Sequence, residues 1–91
     1  MKLKVCTLTP AQHRVQRDRY GKLRGAVESV DRQPLELTIR FADDVDGDLL
    51  AETVEIEREC CKFLDIKQEG RVLRMSSDDP HDLDPFERAL R

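Results

Sequence analysis

Seven residues, Leu35 to Phe41, constrain this chain more than any other stretch. Leu35, Leu37, Ile39 and Phe41 alternate without error with Glu36, Thr38 and Arg40. Successive side chains of a strand point to opposite faces, so the pattern predicts a strand with its four large apolar residues on a core face and its polar residues in solvent. Ala26–Val30 reads as a strand just upstream. Asp31-Arg32-Gln33-Pro34 is the expected turn between them, because Pro34 has no N–H to give a central ladder. A second hairpin is expected from Phe63–Gln68 and Val72–Ser76, joined at Glu69-Gly70, with Leu64, Ile66, Leu73 and Met75 inward. Leu3–Leu8 reads as an opening strand or arm, rich in β-formers.

Three helices complete the expectation. Thr9-Pro10-Ala11-Gln12 is a helix start: a capping threonine, a proline that suits the first turn, and a glutamine placed for a capping box. That helix should run to about Leu23. Its apolar residues Ala11, Val15, Tyr20 and Leu23 make no clean stripe, so it should lie on the surface and touch the core lightly. A last short helix is expected from Asp84-Pro85-Phe86-Glu87, with Asp84 as its cap. The second helix, from about Asp48 to Cys61, is the best amphipathic segment. The acids of Asp43-Asp44-Val45-Asp46-Gly47-Asp48 precede it, and capping by Asp46 or Asp48 explains that run better than a calcium loop, whose glycine and closing glutamate are out of place.

Advancing about 100° per residue puts Leu49, Leu50, Thr53, Val54, Ile56, Cys60 and Cys61 on one broad arc of this helix. Ala51, Glu52, Glu55, Arg58 and Glu59 fall opposite. One charge breaks the pattern. Glu57 lands within the apolar arc, and residues three and four apart share a helix face, so it should lie beside both Cys60 and Cys61. A buried carboxylate must be paired, hydrogen-bonded or protonated. An arginine from the first helix, a backbone donor, a bound cation or a bend toward solvent would each compensate it.

At 91 residues the chain is expected to be a single domain, 1–91, burying about 60–65% of its unfolded surface. Charged residues make up 38% and Trp is absent, so Leu, Val and Ile must supply most of the core. The architecture expected is α+β: an antiparallel sheet of four or five strands from two hairpins, covered by two longer helices and a short C-terminal helix. The net charge of −3 disfavours a nucleic-acid partner. Charge is unevenly spread. His13–Arg24 holds five Lys or Arg against Asp18, and Asp43–Glu59 holds eight acids against Arg58. Such helices can attract one another within the fold or between the subunits of a homodimer. No apolar run approaches the ~18 residues of a membrane span, and the first residues lack the apolar core of a signal peptide, so the expected compartment is the cytoplasm.

In a reducing compartment clustered cysteines point to metal binding or catalysis rather than a structural disulfide. Thiolates suit soft ions. Cys60 and Cys61 are too close for ordinary zinc spacing, so two neighbouring thiols with Cys6 as a distant third would suit a low-coordinate soft ion, with Glu57 as a further ligand. The competing reading is that the cysteines are small core residues of a non-enzymatic interaction or structural module. A thiol-redox enzyme is the weakest reading, because the pair lacks CxxC spacing and a helix C-terminus disfavours a thiolate. His13 and His81 read as solvated side chains. No phosphate loop, dinucleotide motif, nucleophile elbow or zinc-protease helix is present, and no catalytic residue is assigned.

Cys6-Thr7-Leu8-Thr9-Pro10, taken with Glu57-Arg58-Glu59-Cys60-Cys61-Lys62-Phe63-Leu64, resembles a group of short bacterial proteins often associated with heavy-metal-resistance genes. Their common pattern is Glu-Arg-x-Cys-Cys-Pro-Phe. Lys62 replaces that proline here, which leaves the exit from the helix without its usual stop. The resemblance implies a shared fold and a shared thiol site, and no established reaction.

Overall fold

The computed structural model describes residues 8–91. The expected opening strand and Cys6 therefore lie outside the described residues. In chain order the elements are α1 (Pro10–Arg24), β1 (Val27–Gln33), β2 (Glu36–Phe41), α2 (Gly47–Cys60), β3 (Asp65–Glu69), β4 (Val72–Ser76), a 3-10 turn (Pro80–Leu83) and α3 (Asp84–Leu90). The fold is α+β, with one antiparallel sheet in the order β1-β2-β4-β3. Each hairpin pairs with itself, and β2 pairs with β4. Strands β2 and β3 therefore run parallel with β4 between them, and α2 makes the crossover.

The alternation that dominates the sequence does its work in β2. Leu37, Ile39 and Phe41 are buried. Register places Leu37 opposite Met75 and Ile39 opposite Leu73, and Met75 in turn opposite Ile66. Directly opposed residues share a sheet face, so these side chains form two apolar rows beneath the helices. Leu35 is the exception. The first hairpin pairs Gln33 with Glu36, which makes Pro34-Leu35 the turn and carries β1 three residues further than expected. Leu35 is consequently 47% exposed instead of inward. The turn takes a proline at its first position, where a fixed φ suits it, and the ladder gains the pairs of Asp31, Arg32 and Gln33 that a turn there would forfeit. The second hairpin turns at Gly70-Arg71, where Gly70 adopts φ +58°, a conformation that costs glycine little.

Helix α1 begins with the expected capping box: Gln12 N–H donates to Thr9 Oγ1 at 3.2 Å, and Thr9 N–H to Gln12 Oε1 at 2.8 Å. Its buried stripe is Gln16, Tyr20 and Leu23, one turn apart. The sequence reading missed this stripe because its first member is polar, and it counted Val15, which is 49% exposed. Asp46 caps α2 by accepting from Leu49 N–H. At the C-terminus Asp84 is not the cap. Pro80–Leu83 already turns as a 3-10 helix that runs straight into α3, so Leu83 occupies the cap position and no side chain fills that role. Asp84 instead binds Arg32 of β1, together with Glu87. Arg32 sits opposite Leu37, on the covered face of an edge strand, which aims it at α3. Tyr20 packs edge-on against Phe86, ring centroids 6.2 Å apart, so α1 and α3 close over the sheet together.

Candidate metal centre

Helix α2 buries Leu50, Thr53, Val54, Glu57 and Cys60, with Cys61 just beyond its last residue. The phasing of the sequence thus places Glu57 where it lies: 5% exposed, among core side chains. Cys61 leaves helical geometry at φ −113° and ψ 65°, even with Lys62 in place of a proline, while its N–H still bonds Glu57 O. That half-step out of the helix brings the two neighbouring thiols together, Sγ to Sγ 3.5 Å. Both cysteines are buried and neither is joined in a disulfide.

The carboxylate of Glu57 is divided between two tasks. Oε2 faces the thiols, 3.1 Å from Cys61 Sγ and 3.8 Å from Cys60 Sγ. Oε1 accepts from Gln16 Nε2 at 3.0 Å. The same amide nitrogen donates to Thr53 O at 3.1 Å, so Gln16 grips two successive turns of α2. Its own oxygen accepts from Arg19 Nη1 at 3.0 Å, and Arg19 Nη2 pairs with Glu52 at 3.0 Å. The expected compensation by an arginine of the first helix therefore arrives one bond removed, through a neutral amide. Among the described residues no cation forms an ion pair with Glu57.

Protonation follows from this packing. Burial pushes the Cys61 thiol up, and the Glu57 carboxylate beside it pushes the same way. Cys61 is a thiol donating to a carboxylate, not a reactive thiolate. Tyr20 is also raised well above the ordinary phenol value, first by burial and then by Glu57, Cys61 and Cys60. Its hydroxyl is buried and has no hydrogen-bond partner of good geometry among the described residues.

One ligand atom each from Glu57, Cys60 and Cys61 lies within 4.8 Å of the others, and all three residues are buried. A groove of about 690 Å³ runs past Glu57, Cys61, Gln16 and Tyr20, with Phe63 and Phe86 among its walls. His13, Arg17 and Arg24 of the basic helix line it too. On the other side a second groove reaches Cys60. Leu8 lines both. His81 stays apart, 88% exposed beside Asp84. Of the residues named from sequence, Glu57, Cys60 and Cys61 are brought together and Cys6 lies outside the described residues. Gln16 and Tyr20 were missed. A period-four reading that admitted polar residues to the first helix's inner face would have found both.

No family model, curated protein or solved structure matches this chain.

Proposed function

We propose that this protein binds a thiophilic metal or metalloid ion through Cys60, Cys61 and Glu57. One observation carries the reading: three ligand atoms of two chemical types converge on a helix face that is otherwise apolar. Placing a carboxylate there costs stability that a leucine would not. A bound cation offsets that cost and turns the raised thiol pKa into proton release, since the ion takes thiolates. The grooves supply an entry path from solvent. Cys6 stands two residues before Leu8, a chain span of at most ~7 Å, and is proposed as a further thiol ligand. The resemblance to proteins associated with heavy-metal resistance points the same way.

The test is titration of the reduced protein with zinc, copper(I), mercury and arsenite, beside a Cys60→Ser/Cys61→Ser variant. Tight binding that the variant loses supports the reading, and equal binding by both proteins removes it.

A second reading has its own observation. Cys61 already has a hydrogen-bond acceptor in Glu57, as a satisfied core residue would. On this reading the protein is an interaction or structural module whose cysteines pack the core, and the assembly expected is a homodimer or a complex with another partner. Thiol labelling under native conditions separates the two: modification faster than global unfolding contradicts pure packing.

A further inference from the structure

The three ligand atoms do more than cluster. Their separations describe the coordination shape they can serve. Two thiolates binding one ion in a line sit two bond lengths apart, about 4.6 Å for bonds of ~2.3 Å. Around a tetrahedral ion with the same bonds the sulfur–sulfur edge is about 3.8 Å, and the sulfur–oxygen edge with an oxygen at ~2.0 Å is about 3.5 Å. The thiols here are 3.5 Å apart, and Glu57 Oε2 is 3.1 and 3.8 Å from them. That triangle is close to one face of a tetrahedron and more than an ångström short of a linear pair.

Three features support the same shape. The carboxylate oxygen is held as part of the face, because Gln16 occupies Oε1 and leaves Oε2 toward the sulfurs. Outer hydrogen bonds of this kind orient metal-ligating carboxylates. Main-chain geometry also keeps the two cysteine Cα atoms about 3.8 Å apart. The two cysteines are sequence neighbours, and the turn at Cys61 is tied by its N–H to Glu57 O and by its carbonyl to Leu64 N–H. Finally, Tyr20 brings a buried hydroxyl beside the face, next to Glu57 and with no hydrogen bond of good geometry among the described residues. A donor in that position suits an oxygen ligand completing the coordination.

We propose that the site selects a non-linear ion held on the Cys60–Cys61–Glu57 face: a tetrahedral ion, with the Tyr20 hydroxyl donating to an oxygen at the fourth position, or a pyramidal ion that takes the three face atoms alone. This rests on the ion-binding reading above. It reverses the sequence expectation of a low-coordinate soft ion. Zinc and trivalent arsenic both present this shape; copper(I) and mercury favour the linear one.

The experiment is X-ray absorption on the full chain loaded with zinc or with arsenite, joined to competition titrations of the parent, Glu57→Gln and Tyr20→Phe. The expected result is a first shell of sulfur and oxygen together. Zinc affinity should fall about tenfold or more in Glu57→Gln, the order seen when an orienting or ligating group is lost, and by less in Tyr20→Phe. A sulfur-only first shell, with Glu57→Gln binding as the parent does, overturns the non-linear assignment and leaves the thiol reading standing. Failure of the parent to take up any ion overturns both. The absorption spectrum of the parent needs no variant, so the shape is tested even if Glu57→Gln folds poorly.

Discussion

Gln16 and Glu57 are joined across the α1–α2 interface by a hydrogen bond of 3.0 Å between two side chains that are each about 95% buried. This pair explains how a carboxylate persists in the core. Each atom of the Gln16 amide is used, by Arg19 on one side and by Thr53 O and Glu57 on the other. Fully connected buried networks rigidify a core, whereas half-satisfied ones cost it.

Gln16→Met keeps the volume and removes the donor. It leaves Glu57 Oε1 buried without its partner, and loss of a partner from a buried charged group costs about 2 kcal/mol or more. Urea unfolding at neutral pH measures it. A loss below about 0.5 kcal/mol would show that the amide is not what supports Glu57.

Tyr20→Phe should behave in the opposite way. Its hydroxyl is buried without a good acceptor, so deleting it in ion-free protein removes a desolvated group and keeps the ring packed on Phe86. The melting temperature should hold or rise. A clear fall would mean the hydroxyl has a structural partner.

Alkali should destabilise the fold through the site. The Cys61 thiol and the Tyr20 phenol are both raised in the folded state, from ordinary values of 9.0 and 10.0. A raised acid binds its proton more tightly when folded. Its stabilisation is therefore complete below the unfolded value and is lost as pH climbs above it. Stability should fall from about pH 9 upward with a slope of up to about 1.4 kcal/mol per pH unit for each group. Chemical denaturation of the parent and Cys61→Ala at pH 7, 9 and 10 reads this. A parent curve as flat as the variant's would sink the prediction.

Acid acts elsewhere, at the strap between β1 and α3. Asp84 is held below its ordinary 3.8, first by its hydrogen bond to Arg32. Glu87 is held below 4.5, first by Arg91 and also by Arg32. Depressed carboxyl groups stabilise above their unfolded values and lose that contribution as pH falls through the folded ones. Stability should thus decline below about pH 4.5, and Arg32→Met should make that decline shallower. Acid titration followed by circular dichroism compares the two slopes. Equal slopes would remove Arg32 from the linkage.

The hairpin register gives a fifth contrast. Leu35→Lys should change stability by no more than about 0.5 kcal/mol, because Leu35 sits exposed in the turn. Leu37→Ala, two residues on, should cost about 2–5 kcal/mol because Leu37 is fully buried. Similar costs at the two positions would contradict the turn at Pro34-Leu35.

Much of the site was legible before the fold was known. Helical phasing alone set Glu57 on the buried face beside two cysteines, since i, i+3 and i+4 positions meet on any α-helix. Leu37, Ile39 and Phe41 were equally plain, because a period of two leaves few alternatives when one face is covered. The failures have a common cause. Leu35 fits the alternation, yet whether a strand begins there depends on which residue of β1 pairs with Glu36. Asp84 fits a cap, yet the 3-10 turn before it and Arg32, more than fifty residues upstream, recruit it elsewhere.

The sequence by itself determined the two hairpins and three helices, the inward faces of β2 and α2, and the presence of a carboxylate that needed a partner. These depend on local periodicity and on the chemistry of neighbouring residues. Tertiary structure alone decided the partner, because Gln16 is forty-one residues from Glu57 and no periodicity reaches across α1 and α2. It also decided the shape of the ligand face, since ångström-scale separations among Cys60, Cys61 and Glu57 depend on where α2 ends and how the chain turns beneath α1. A pattern of residue types carries no distances, and coordination geometry consists of them.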